Sequence, residues 1–180
     1  MGGLVTAVTE LADGRLVMMM DVEKVLAETG HINGEMELQG IQPIGIADRT
    51  VFFADDSAVA RKQVSSALEA LQVNYISAIN GRQAWDELQK IAGRAEAAGV
   101  SVRDLVQVIL TDVEMPEMDG YMLTRKIKSD KRFDGIPVLM HSSLSGTSNQ
   151  QLGKAVGVDE YVSKFEPHKL AQTLRRLLSR

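Results

Sequence analysis

From Thr50 onward the chain alternates five short apolar runs with helical patterns, and few architectures accept that alternation. The runs are Thr50–Ala54, Asn74–Ile79, Val106–Thr111, Ile136–Met140 and Glu160–Ser163. The apolar runs of Thr50–Ala54 and Val106–Thr111, rich in Val, Ile, Leu and Phe, suit strands buried on both faces. Strands alternating with helices pair in parallel, with right-handed crossovers. Apolar residues fall at helical spacing over Ser57–Leu71, Gln83–Ala98, Tyr121–Lys128, about Asn149–Val156, and Pro167–Ser179. The connection Gly93–Asp104 exceeds a minimal loop, which predicts an extended helix and an exposed turn at Gly99.

Upstream the pattern changes. Two apolar stretches, Leu4–Leu11 and Leu16–Met20, flank Asp13-Gly14, a hairpin turn signal, and Asp21–Gly30 has the N-cap, apolar face and closing glycine of a short helix. A unit of about 30 residues cannot bury enough surface to stand alone, so residues 1–30 are expected to be a fragment, to dock elsewhere or to associate. Its strand edges could pair with a second copy, giving a homodimer. Residues 31–49, punctuated by Gly34, Gly40, Pro43 and Gly45, form a linker whose sparse Ile32, Leu38, Ile41, Ile44 and Ile46 could lie on a neighbouring surface. Residues 50–180 form the main domain. The expected fold is α/β: a doubly wound five-stranded parallel sheet in flavodoxin-like order 2-1-3-4-5, preceded by a β-hairpin and a short helix.

A net charge of −4, with Lys and Arg scattered, argues against nucleic acid as a partner. No apolar run approaches the roughly 20 residues needed to span a bilayer, and no signal-peptide pattern opens the chain. The absence of cysteine fits a reducing compartment, so the cytoplasm is the expected location.

Three carboxylates stand out. Asp55 and Asp56 follow the first run of the main domain, and Asp112 follows the third. In a doubly wound sheet, ligands bind outside the carboxyl ends of the strands where the strand order reverses, between the first and third strands of this order. Gathered like charges raise one another's pKa unless a cation intervenes. Asp55, Asp56, Asp112 and the Glu114 backbone carbonyl are an oxygen set of the kind Mg²⁺ prefers. With a phosphoryl donor present, Asp112 could attack phosphorus in line. Ser142, expected just after the fourth strand, could bond a phosphoryl oxygen, and Lys164, after the fifth, supplies a cation. His141, His31 and His168 are given no role. Met18-Met19-Met20 is read as core of a larger unit rather than a soft-metal site, and Trp85 is expected to pack the second helix on the sheet.

With Asp55-Asp56-Ser57, Asp112, Met115-Pro116-Glu117-Met118-Asp119-Gly120, Ser142 and Tyr161-Val162-Ser163-Lys164 in place, residues 50–180 resemble the receiver domain of two-component response regulators. The resemblance implies Asp112 as phosphoacceptor, Asp55 and Asp56 as the acidic Mg²⁺ pair, Lys164 as the lysine, Ser142 as hydroxyl switch and Tyr161 as switch aromatic. Receivers commonly carry Lys-Pro after the fifth strand; here Phe165 follows Lys164 and proline waits until Pro167. Residues 1–30, through Thr6-Ala7-Val8, Asp13-Gly14-Arg15-Leu16-Val17 and Asp21-Val22-Glu23-Lys24-Val25-Leu26, resemble the end of a CheW-like coupling domain. The combination resembles CheV-type chemotaxis coupling proteins. It implies a chemotaxis histidine kinase and the chemoreceptor–kinase complex as partners, and a phosphoacceptor signalling domain rather than a turnover enzyme. Two other readings compete. Asp112-Val113-Glu114 has a loose resemblance to the nucleophile loop of haloacid-dehalogenase-like phosphatases, whose nucleophile follows the first strand instead. A scaffold whose site no longer reacts is the third.

Overall fold

The computed structural model describes residues 5–20, 25, 41–45, 48–143, 146–164 and 166–179. Strands β1 (Val5–Glu10) and β2 (Leu16–Met20) form an antiparallel ribbon. Gly14 takes φ 80° in its turn, a left-handed conformation that glycine adopts at little cost. Every side chain of β2 is open to solvent, with Met18, Met19 and Met20 all more than half exposed. The helix expected over Asp21–Gly30 falls, apart from Val25, outside the described residues.

The main unit follows the expected alternation. Its elements are β3 (Thr50–Ala54), α1 (Ala58–Ala70), β4 (Asn74–Ala78), α2 (Gly81–Ala98), α3 (Val102–Leu105), β5 (Val108–Thr111), α4 (Gly120–Ser129), a 3-10 turn (Lys131–Phe133), β6 (Val138–Ser142), α5 (Thr147–Ala155), β7 (Glu160–Ser163) and α6 (Pro167–Leu178). The sheet order is β4-β3-β5-β6-β7, all parallel. Numbered within this unit, that is the expected 2-1-3-4-5.

Alternate residues of the inner strands β3, β5 and β6 feed two separate cores. Phe52, Ala54, Ile109 and Val138 join Leu88, Ile91, Leu123 and Phe133 on one face. Val51, Phe53, Leu110 and Leu139 join Val64, Leu68, Leu170 and Leu174 on the other. Both faces of these three strands are covered, which is why they lack the polar alternation of the exposed edge strand β4.

Several boundaries differ from expectation, each for a local reason. The third strand starts at Val108 rather than Val106, because Ser101 and Asp104 form a capping box that winds an unforeseen short helix, α3. Gln107 then closes the gap: its side chain donates to the Arg103 carbonyl at 2.8 Å and accepts the Thr50 N–H at 2.7 Å. The fourth strand runs Val138–Ser142 rather than Ile136–Met140, so Ser142 ends the strand instead of following it. Gly99 caps α2 at φ 68°, as expected. Part of the linker is docked. Ile41 and Ile44 pack on the α1/α6 core, the Ile44 N–H donates to the Leu71 carbonyl at 3.1 Å, and Arg175 reaches the Gln42 and Pro43 carbonyls. Trp85 packs beside Phe133, with ring centroids 6.1 Å apart and the Lys126 ammonium 5.3 Å over the indole.

Candidate functional site

Because every strand of the sheet is parallel, all five carboxyl ends share one edge. The backbone ladder continues one residue past the two central strands: the Asp55 N–H donates to the Ala78 carbonyl at 3.2 Å and the Asp112 N–H to the Ala54 carbonyl at 2.8 Å. Each carboxylate is thereby fixed to the rigid sheet rather than to a loop. Asp55 Oδ1 accepts the Ser57 N–H at 2.8 Å, while Ser57 caps α1, accepting the Ala60 N–H at 3.3 Å. Asp112 Oδ1 accepts the Val113 N–H at 2.6 Å.

The structure brings together most of the residues singled out from sequence. Carboxylate oxygens of Asp55, Asp56 and Asp112 all lie within 4.8 Å of one another, with Asp55 and Asp112 buried and Asp56 exposed at the rim. From the end of β7, the Lys164 ammonium lies 2.9 Å from Asp112 Oδ2 and 3.1 Å from Asp55 Oδ2, with its side chain only 3% exposed. Asp55 Oδ2 is within ion-pairing distance of that ammonium but has no well-aligned hydrogen bond. Glu114 is exposed and lines a depression with Asp56, Met115, Pro116, Asp119 and Tyr121. Ser142 is buried, and its side chain hydrogen-bonds that of half-buried Tyr161. The Lys164–Phe165 peptide lies outside the described residues.

Burial pushes the Asp55 carboxyl up to about 7; the Lys164 charge opposes that shift and the Asp112 charge adds to it. One lysine is insufficient counter-charge for two buried carboxylates, so Asp55 holds a proton into the neutral range. Burial likewise pushes the Tyr161 hydroxyl up, the Ser142 bond draws it down, and the charges of Asp112 and Glu114 push it up again.

Sequence reasoning missed two contributors. Gly81 opens α2 so close to the Asp112 loop that a Cβ there would lie 2.0 Å from the Met118 carbonyl oxygen. Only its place after the capping residue Asn80 hinted at this. His141, set aside above, is 1% exposed, and neither ring nitrogen has a hydrogen-bond partner. Burial, followed by the Lys164 charge, lowers its pKa to about 3.

These two buried groups oppose each other on titration. Asp55 has a raised folded pKa, so its contribution favours the fold below about 4 and is lost as pH rises toward 7. His141 has a depressed one, so its contribution is present above about 6.5 and is lost on acidification toward 3. Between about pH 4 and 6.5 the two slopes cancel. His141→Leu, which replaces an unpaired ring by an apolar side chain of similar size, is expected to stabilise the fold by about 1–2 kcal/mol at neutral pH. It should also uncover a decline in stability with rising pH between 4 and 6.5 without divalent ions, on the order of 1 kcal/mol per pH unit. Urea unfolding across that range checks both; a variant less stable than the native chain, or a flat profile, contradicts them.

Comparison with known proteins agrees with this geometry. Residues 51–175 match the response regulator receiver domain. Chemotaxis protein CheV2 of Helicobacter pylori is 28% identical over 180 residues, covering 98% of this chain and 54% of that protein. CheV1 of the same organism is 30% identical over 173 residues, covering 94% and 51%. The chain therefore spans about half the length of these relatives. The solved structure of chemotaxis response regulator CheY4 of Vibrio cholerae is 30% identical with a TM-score of 0.61, and covers 72% of this chain and 98% of that one. Among the described residues no helix is long and apolar enough to cross a membrane. A family match running through every strand of the parallel sheet makes this chain a member of the response regulator receiver domain family.

Proposed function

We propose that this receiver is a phosphorylation-controlled module of chemotaxis signalling that accepts a phosphoryl group on Asp112 from a histidine kinase. The observation that carries the reading is the buried Lys164 ammonium held between Asp112 and Asp55 at the carboxyl edge. Asp112 Oδ attacks phosphorus, forming a P–O bond as the donor's bond to phosphorus breaks, and the leaving group takes its proton from solvent. Lys164 offsets negative charge on the phosphoryl oxygens, and the Val113 N–H keeps Asp112 oriented. The product adds nearly two negative charges to a buried edge. The Ser142 hydroxyl, now bonded to Tyr161, then bonds a phosphoryl oxygen, and the released Tyr161 carries the change to the surface beside α5 and β7.

Asp55, Asp56 and Asp112, with the Glu114 backbone carbonyl, fit a divalent ion of the Mg²⁺ type, since the trio converges and Asp55 Oδ2 lacks a hydrogen bond. Bound there, the ion supplies the positive charge that three carboxylates and an incoming phosphoryl group require. Ionising Asp55 is a condition for binding. Apparent Mg²⁺ affinity should therefore weaken by up to about tenfold per pH unit below 7 and level off above it. Calorimetric titration from pH 5.5 to 8.5 measures this; affinity constant across the range contradicts it.

The same reading takes residues 1–30 as the remnant of a CheW-like domain, residues 31–49 as the segment joining it to the receiver of residues 50–180, and receptor–kinase coupling as the modulated output. Its support is the extent of similarity: the CheV matches take in 98% and 94% of the chain, where the CheY4 match takes in 72%. Intact-mass spectrometry after incubation with acetyl phosphate and Mg²⁺ tests the phosphoacceptor reading. A single phosphoryl adduct is expected, lost in EDTA and absent from Asp112→Asn. An equal adduct on the variant overturns it.

A further inference from the structure

At the opposite pole, where the strands begin, a cavity of about 690 Å³ lies among α3, the ends of α4 and α6, and the loops entering β3, β5, β6 and β7. Its polar wall can be accounted for group by group. The Lys128 ammonium is 2.7 Å from Asp159 Oδ2 and donates to the Ile136 carbonyl at 3.1 Å. Asp159 Oδ2 also accepts the Val138 N–H at 2.7 Å, and Asp104 accepts the Ser101 N–H at 2.9 Å. Gln107 is used on both sides by Thr50 and Arg103. Two guanidiniums are left over. Arg49 Nε is buried with no hydrogen-bond partner, and the Arg103 guanidinium, packed over Gly135, has no hydrogen bond or ion pair among the described residues. Both line the cavity.

With Lys128 neutralised by Asp159, the two unpaired arginine forks face one remaining carboxylate, Asp104, whose oxygen is turned to the Ser101 N–H. The cavity of this acidic chain keeps a net positive charge and free guanidinium donors, an arrangement for an anion. We infer that this cavity binds a small oxyanion, a phosphate or a carboxylate, between Arg49 and Arg103. The walls formed by Pro137, Leu177 and Leu178 take the apolar part of the molecule carrying it. The site lies at the amino ends of the strands, across the sheet from Asp112, so its occupancy is independent of the phosphoacceptor reading.

The test is an amide NMR titration of the full chain without Mg²⁺, at constant ionic strength in chloride, with inorganic phosphate, acetate and neutral acetamide as probes. Saturable shifts at Gln107 and Gly135 with at least one anion and not with acetamide are expected, weakened at least tenfold in Arg49→Gln and in Arg103→Gln. Response to phosphate alone assigns a phosphorylated ligand, and response to acetate alone a carboxylate; either supports the inference. No saturable shift with either anion, or undiminished shifts in both variants, overturns it. Native-like spectra away from the cavity establish that a variant is folded, and if one variant fails that control the other decides.

Discussion

Gly120→Ala is expected to lower stability by about 3 kcal/mol or more, a large effect for one methyl group. A Cβ at Gly120 would lie 2.0 Å from the Asp112 carbonyl oxygen, 3.0 Å from its carbon and 3.1 Å from Val113 Cα. All three are backbone atoms of Asp112 and Val113, and the Asp112 N–H is bonded to the Ala54 carbonyl of the sheet, so no flexible side-chain end can swing away. Relief requires the Asp112 loop to move, and phosphoryl uptake should fall with stability. Gly93→Ala provides the opposite case in the same protein. Gly93 is exposed within α2 and a Cβ there meets nothing within 4 Å, so the substitution should gain about 0.5–1 kcal/mol by restricting the unfolded chain. Urea unfolding of the two variants beside the native chain measures the contrast. A Gly120→Ala protein within 0.5 kcal/mol of native, on the order of an ordinary surface change, would mean the close approach is not rigid.

Lys164→Met is the second large expectation. Removing one partner from a buried ion pair leaves the others uncompensated, at a typical cost of about 3–5 kcal/mol, and here two carboxylates share the single ammonium. The loss should be greatest above pH 7 in EDTA, where Asp55 has given up its proton. It should shrink as Asp55 takes up its proton on acidification, and shrink again when Mg²⁺ is added at pH 8. Chemical unfolding at pH 6 and 8, with and without Mg²⁺, separates these contributions. A variant as stable as native at pH 8 in EDTA would show that Lys164 does not hold the carboxylates together.

Much of this was legible from residue pattern because the fold and the site depend on the same regularities. Strands such as Thr50–Ala54 had to be buried on both faces, so their interiors are apolar, and the residues that follow two of them are the carboxylates. Parallel pairing then forces Asp55, Asp112 and Lys164 to one edge whatever the loops do. What stayed hidden depends on side-chain contacts between distant segments. The Gly81 approach to Met118 is a packing fact to which the sequence offers only the preceding Asn80 cap, and α3 arises from a capping box in a stretch too short for periodicity to register. Pro137 and the apolar Ile136 drew the fourth strand two residues early. In the structure the ladder begins at Val138, whose N–H is taken by Asp159, and runs on through His141 and Ser142. His141 has no other histidine or cysteine near it in the sequence to mark a site, and in the fold it is an unpaired buried ring.

The most direct test of the central claim locates the phosphoryl group rather than merely detecting it. Borohydride reduces an aspartyl phosphate to homoserine with release of phosphate, so the native chain, incubated with acetyl phosphate and Mg²⁺, reduced and digested, should carry homoserine at position 112 and nowhere else. Homoserine at position 55 or 56, or at none of the three while the intact protein still gains a phosphoryl mass, would contradict the account.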